Sequence, residues 1–180
     1  VGTDQIICKI LYKPATMEPL GSLAVLNSTV DPTYDDTKSR PTQAQTFLHK
    51  ATGAKFTYVI AHLKSKGSAC TPSDPDKGDG QGNCAQTRAA AARAMVNWLK
   101  QDPTSSGDPD FMVMGDMNAY AMEDAIRAFT DNGYTNLIKR SVIEDCYLHA
   151  AWLAALQHAC MHACQGLTCM LQSFSACSAS

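Results

Sequence analysis

The sequence predicts a mixed α/β layered fold, and three observations carry that expectation. Short runs of β-branched and large apolar residues alternate with stretches of helical periodicity. Glycine- and proline-rich loops separate them. The resulting order of strand, loop, helix, strand, loop, helix favours helices layered on a sheet. Composition agrees: 180 residues, 45% hydrophobic, 18% charged and a formal net charge of -2 suit one globular domain of ordinary size, and neither disorder nor a membrane protein is indicated. So small a net charge gives no blanket attraction to nucleic acid. Polyanion binding would have to come from a local patch or from bound metal.

Residues 6–12 (Ile-Ile-Cys-Lys-Ile-Leu-Tyr), stopped by Lys13-Pro14, read as a strand, and residues 20–26 as a second, weaker one. Residues 31–40 contain Asp-Pro, Tyr-Asp-Asp and Arg-Pro without periodicity and predict an exposed loop. Residues 45–49 and 55–62 predict a strand pair joined across Ala51-Thr52-Gly53-Ala54, the second strand ending at His62. Residues 67–82, dense in glycine, proline and aspartate, predict a loop outside the core. Residues 87–100 predict a helix with Ala91, Met95, Trp98 and Leu99 on one face, ended by Asp102-Pro103. Residues 111–114 predict a short strand, residues 115–120 the turn after it, and residues 123–130 a helix closed by Asn132-Gly133.

Composition changes abruptly after Asp145. From residue 146 to 180 there is no Asp, Glu, Lys, Arg or Pro, yet five of the eight cysteines and three of the five histidines lie there. The expected division is therefore 1–145 and 146–180. Eight cysteines suggest an oxidising compartment. The chain opens on Val-Gly-Thr-Asp with no leader pattern, so the expectation is that further sequence, any signal peptide included, precedes Val1.

Two strand ends carry candidate chemistry. In Phe111-Met-Val-Met-Gly-Asp116-Met-Asn118, an apolar strand delivers a carboxylate where the chain leaves the core, a placement suited to a metal ligand or a base. Asn118 can hold a phosphate oxygen without adding repulsive charge. Equally, both residues are good turn-formers and helix caps. In Tyr58-Val-Ile-Ala-His62, a second strand ends on an imidazole able to pass a proton to a leaving alkoxide. Lys64 and Lys66 follow, as a source of positive potential or as ordinary solvated charges. Asp74, Asp76 and Asp79 could bind Ca²⁺, although a solvated acidic turn is the better reading.

Taken together, Ala61-His62-Leu-Lys-Ser-Lys-Gly-Ser-Ala-Cys70, the loop Asp74-Pro-Asp-Lys-Gly-Asp-Gly-Gln-Gly-Asn-Cys84, the Thr87-Arg88 start of an alanine-rich helix and Gly115-Asp116-Met-Asn118-Ala119-Tyr resemble the secreted bacterial nucleases of the endonuclease/exonuclease/phosphatase superfamily. Gly2-Thr-Asp4 and Arg40-Pro41 before Gln45-Thr-Phe47 resemble them too. The resemblance covers residues 1 to about 145. It implies a two-sheet α/β sandwich with four layers, incomplete here, and an enzyme that hydrolyses DNA or RNA phosphodiesters outside the cell. It implies that His62 is the active-site histidine, Asp116 the active-site aspartate and metal ligand, and Asn118 a contact to the scissile phosphate. It implies that Arg40 is a phosphate-binding residue, the role Lys64 takes from its charge, and that Asp4 is a further metal ligand. It also implies a disulfide between Cys70 and Cys84, with free buried thiols as the alternative. Mg²⁺ or Mn²⁺ is the implied ion, and the implied partner is nucleic acid, with no membrane and no obligate protein partner.

The departures matter as well. The family's asparagine and metal-binding glutamate of the early strands have no counterpart in this chain, and nothing after Asp145 reads as its late aspartate or Asp-His pair. The parent is thus expected to be an enzyme, and these 180 residues alone are expected to give no turnover. Two alternatives stay open: action on phosphomonoesters or phospholipid headgroups, and an inactive fragment. For residues 146–180, His158, Cys160, His162, Cys164 and Cys169 match no familiar zinc spacing. That stretch resembles a GC-rich gene read out of frame, or spliced-in unrelated sequence.

Overall fold

A computed structural model of the chain describes residues 7–70 and 72–137. The chain divides into units Val1–Asn136 and Leu137–Ser180, and the account below concerns the first. Asp4, the start of the strand expected at 6–12 and the anomalous stretch 146–180 lie outside the described residues.

Six elements follow in order: β1 (Met17–Leu26), β2 (Arg40–His49), β3 (Lys55–His62), α1 (Ala85–Leu99), β4 (Phe111–Asp116) and α2 (Asp124–Thr130). The mixed α/β class is as the sequence predicts. The four strands form one sheet in the order β1-β2-β3-β4, with β1/β2 and β2/β3 antiparallel and β3/β4 parallel. A parallel neighbour needs a long crossover, and the 67–82 loop with α1 provides it. Gly53, at φ 72, turns the chain between β2 and β3.

Residues 7–12 correct the expectation of a strand, because they hold no regular structure. Strand propensity measures fit to a sheet neighbour, and both edges of β2 are already taken by β1 and β3. The segment instead touches the sheet through side chains: Gln43 Nε2 donates to the Cys8 carbonyl at 3.0 Å, and the Tyr12 and Phe47 rings lie 5.2 Å apart. Residues 31–40 are corrected too. Tyr34 and Ser39 in that loop are fully buried. The Tyr34 hydroxyl donates to the Arg40 carbonyl at 2.5 Å and lies 3.0 Å from Thr42 Oγ1, so its ring is plugged into the core with its polar end satisfied.

Alternation gives the sheet two unlike faces. Thr57, Val59 and Ala61 of β3 are buried, and Val59 and Ala61 share a core with Leu26, Ala44, Leu63 and the Ala91, Met95, Trp98 and Leu99 face of α1. Ala125 and Phe129 of α2 complete that core. The opposite face is half exposed, with Met112 and Met114 open on β4, and His62 belongs to it. Among the described residues no helix is long and apolar enough to cross a membrane.

The 67–82 loop is more than a surface connection. Cys84 precedes α1 at φ 64 and gives it no side-chain cap. Asp74 supplies one from a distance, accepting from Gln86 N at 3.2 Å, Thr87 N at 2.8 Å and Thr87 Oγ1 at 2.7 Å. That carboxylate is buried, so it is not part of a solvated turn. Burial would raise its pKa, but the bonds from Thr87 and Gln86 and the nearby Arg88 charge outweigh this and hold it below the ordinary carboxylate value. A depressed folded-state pKa stabilises above the unfolded value, about 4, and that stability is lost as pH falls through the folded value. Asp74→Ala is therefore expected to lower unfolding free energy by about 0.5–2 kcal/mol at neutral pH. Urea melts should begin to converge with the parent as pH falls below about 4 and meet it below the still lower folded-state value; a gap that persists undiminished to that acidity would exclude the ionised cap.

Candidate active site

The register of three strands assembles the site. Arg40 pairs with His62 across β2 and β3, and His62 pairs with Asp116 across β3 and β4. One row over three strand ends therefore carries a guanidinium, an imidazole and a carboxylate. His62 Nε2 lies 3.9 Å from Asp116 Oδ2, with the two side chains 40% and 65% exposed. That spacing is looser than a hydrogen bond.

Asp116 is anchored through its other oxygen, since Oδ1 accepts from Asn118 N at 2.9 Å. Asn118 takes a left-handed backbone, φ 48, a conformation asparagine tolerates. Its Nδ2 donates to the Leu63 carbonyl at 3.0 Å, and Leu63 N donates to the Asp116 carbonyl at 3.0 Å. The end of β4 and the turn after it are thus each tied once to the residue after His62. One amide hydrogen of Asn118 serves this tie, and Nδ2 carries two.

The two lysines behave differently. Lys64 Nζ donates to Ser65 and Ser68 carbonyls and hydroxyls at 2.8–3.3 Å, so its charge stays near the site while its ammonium braces the loop. Lys66 pairs with Glu123 and lies 4.4 Å from the Tyr120 ring centroid. Glu123 balances its charge, so of the two readings the sequence left open for Lys66, a source of positive potential or a solvated charge, the first does not hold. Arg88, buried beneath, donates to the carbonyls of Lys64 (3.3 Å), Asn83 (2.6 Å) and Gln81 (2.5 Å), holding the loop against α1. Cys70 and Cys84 form the disulfide that the motif resemblance implies. A closed loop of about 15 residues contributes about 3 kcal/mol by restricting the unfolded chain.

A cleft of about 290 Å³ opens beside His62, lined by Lys38, Arg40, His62, Leu63, Lys64 and Ser65. Lys38 was not singled out in the sequence, where residues 31–40 read only as a loop. The pair Lys38 and Arg40, two residues apart where the loop meets a strand, was the signal that could have found it.

Among the described residues no three His, Cys, Asp or Glu side chains are grouped to enclose an ion. Asp76 and Asp79 each accept from backbone N–H groups within their own turns, those of Gly78 and Gln81. Mg²⁺ commonly takes only one or two protein carboxylates, with water and substrate phosphate completing its shell. Exposed Asp116 suits one such position in donor chemistry.

No family model and no curated protein matches the chain. Solved structures similar to it include the human Nocturnin catalytic domain with bound sulfate anion, at 17% identity and TM-score 0.44, over 65% of this chain and 36% of that one. An endonuclease/exonuclease/phosphatase family protein from Bacteroides thetaiotaomicron matches at 17% identity and TM-score 0.46, over 68% of this chain and 38% of that one. A mannosyl-6-phosphatase from Bacteroides thetaiotaomicron matches at 17% identity and TM-score 0.44, over 68% and 40%. The chain thus spans between 36% and 40% of the length of these structures.

Proposed function

We propose that these residues belong to a divalent-metal-dependent phosphodiesterase, a secreted nuclease of the endonuclease/exonuclease/phosphatase superfamily acting on DNA or RNA. The observation that carries this reading is the in-register row of Arg40, His62 and Asp116 beside a basic cleft. The spaced motifs around His62, Cys70, Cys84 and Asp116 support the superfamily. The Cys70–Cys84 disulfide supports secretion, because such bonds persist in oxidising compartments.

Phosphodiester hydrolysis needs in-line attack by water and compensation of charge on the nonbridging oxygens. Mg²⁺ or Mn²⁺, when bound, would supply that compensation, with Asp116 as a ligand. His62, partly exposed with its Nε2 3.9 Å from Asp116 Oδ2, passes a proton between solvent and the reacting oxygens. Arg40 draws the phosphate towards His62, and Asn118 adds a neutral donor.

The test is a substrate panel for the complete gene product, with plasmid DNA, RNA, an inositol phosphate and sphingomyelin, in Mg²⁺ or Mn²⁺ and again in EDTA. Nucleic acid is expected to be cut and EDTA to silence it. Preference for inositol phosphate or sphingomyelin would replace the substrate, and hydrolysis of none would defeat the proposal.

A further inference from the structure

The cleft beside His62 lies on the side away from Asp116. Sheet order puts β3 between β2 and β4, so Arg40 and Asp116 flank His62 on opposite sides. Arg40 lines the cleft together with Lys38 and Lys64, and Asp116 does not. His62 thus stands between two unlike anion environments. On the Asp116 side a bare carboxylate repels a phosphate until a cation bridges them. On the Arg40 side three cationic side chains line the cleft and, among the described residues, no carboxylate does, so an anion is attracted directly.

The cleft is built. The 27–39 loop is laced by its own polar side chains: Asp31 accepts from Thr33, Asp35 from Thr37 and Asp36 from Ser28. The loop's carboxylates are thereby turned onto their own backbone. Fully buried Ser39 accepts from Lys64 N at 3.2 Å, which joins the Lys38 wall to the residues after His62. Lys38 N donates to the Asp35 carbonyl at 3.2 Å, and its ammonium has no hydrogen-bond or ion-pair partner among the described residues. Liquid water occupies about 30 Å³ per molecule, so the cleft has room for a phosphate with part of its sugar.

We infer that this cleft is a subsite for the phosphate next to the scissile one, and that Lys38 binds it. The inference rests on the reading that His62 and Asp116 act on a phosphate, and it deepens that reading: the substrate is a chain of phosphodiesters, not an isolated phosphoester. Lys38 is a binding residue and not part of the reacting centre.

The test is binding, measured in EDTA so that no turnover is needed, by fluorescence anisotropy of a labelled oligothymidylate over about 50–200 mM salt. Lys38→Gln, which keeps most of the aliphatic stem, is expected to weaken binding several-fold and to lower the slope of log K against log salt by about 0.7, one phosphate contact on a single strand. Lys38→Arg is expected to keep the slope. Lys55→Gln removes an exposed lysine at the far end of β3 and is expected to change neither quantity. Unaltered affinity in Lys38→Gln, with circular dichroism matching the parent, would overturn the subsite. Equal losses in the Lys38 and Lys55 variants would also overturn it, by reducing the effect to net charge. Absence of hydrolysis in the substrate panel would count against the catalytic reading alone, because the affinity comparison does not depend on it.

Discussion

Asp116→Ala and His62→Ala, made separately in the complete gene product, are each expected to reduce metal-dependent phosphodiester hydrolysis by about 10²–10⁴-fold, the range for losing one positioned proton-transfer or charge-stabilising group. Folding should survive both changes. The His62 and Asp116 side chains are 40% and 65% exposed at strand ends, and their 3.9 Å separation makes a weak ion pair at best. Urea midpoints should therefore stay close to the parent's, which separates lost chemistry from lost structure. Groups that serve one transition state do not contribute additively. The double variant is thus expected to fall little below the poorer single one. If either single variant kept activity within about tenfold of the parent, below the range for such groups, the row would not be the reacting centre.

Gly115→Ala, made in the complete gene product, is expected to produce the largest loss of stability. Gly115 sits opposite Ala61 in the parallel pairing of β3 and β4, at φ 129, a region that L side chains rarely adopt. A Cβ there would overlap the Ala61 carbonyl oxygen and lie 3.0 Å from the carbon and nitrogen of the same residue. Those atoms are backbone of the adjacent strand, so the overlap is relieved only by parting β4 from β3. Strain of this kind, added to lost strand pairing, should cost at least about 3 kcal/mol in urea unfolding. His62 and Asp116 lie one residue further along the same register, so activity should fall with stability. A variant unfolding at the parent's urea concentration would refute the β3/β4 register itself.

Local order was legible in the sequence wherever one signal decided the outcome. The alternation of residues 55–62 gave β3 its limits, and the apolar stripe of Ala91, Met95, Trp98 and Leu99 gave α1 its buried face. The start of α1 was harder to read, because its cap is Asp74, ten residues ahead of the N-cap position, and no local rule points to it. Residues 7–12 failed for a related reason. Their propensity is real, but they lie against β2 through side-chain contacts, and both edges of that strand are already paired.

The candidate site divides along the same line. By itself the sequence determined where the candidate groups stand, His62 and Asp116 at the ends of apolar strands and Asn118 just after, because strand ends and residue types are encoded locally. Only the tertiary structure decided that Arg40 and Asp116 flank His62 in one row, that Lys66 is balanced by Glu123, and that Lys38 enters the cleft. Those facts depend on strand order, register and loop packing, which bring together residues from about twenty to nearly sixty positions apart, and no short window of sequence records such a contact.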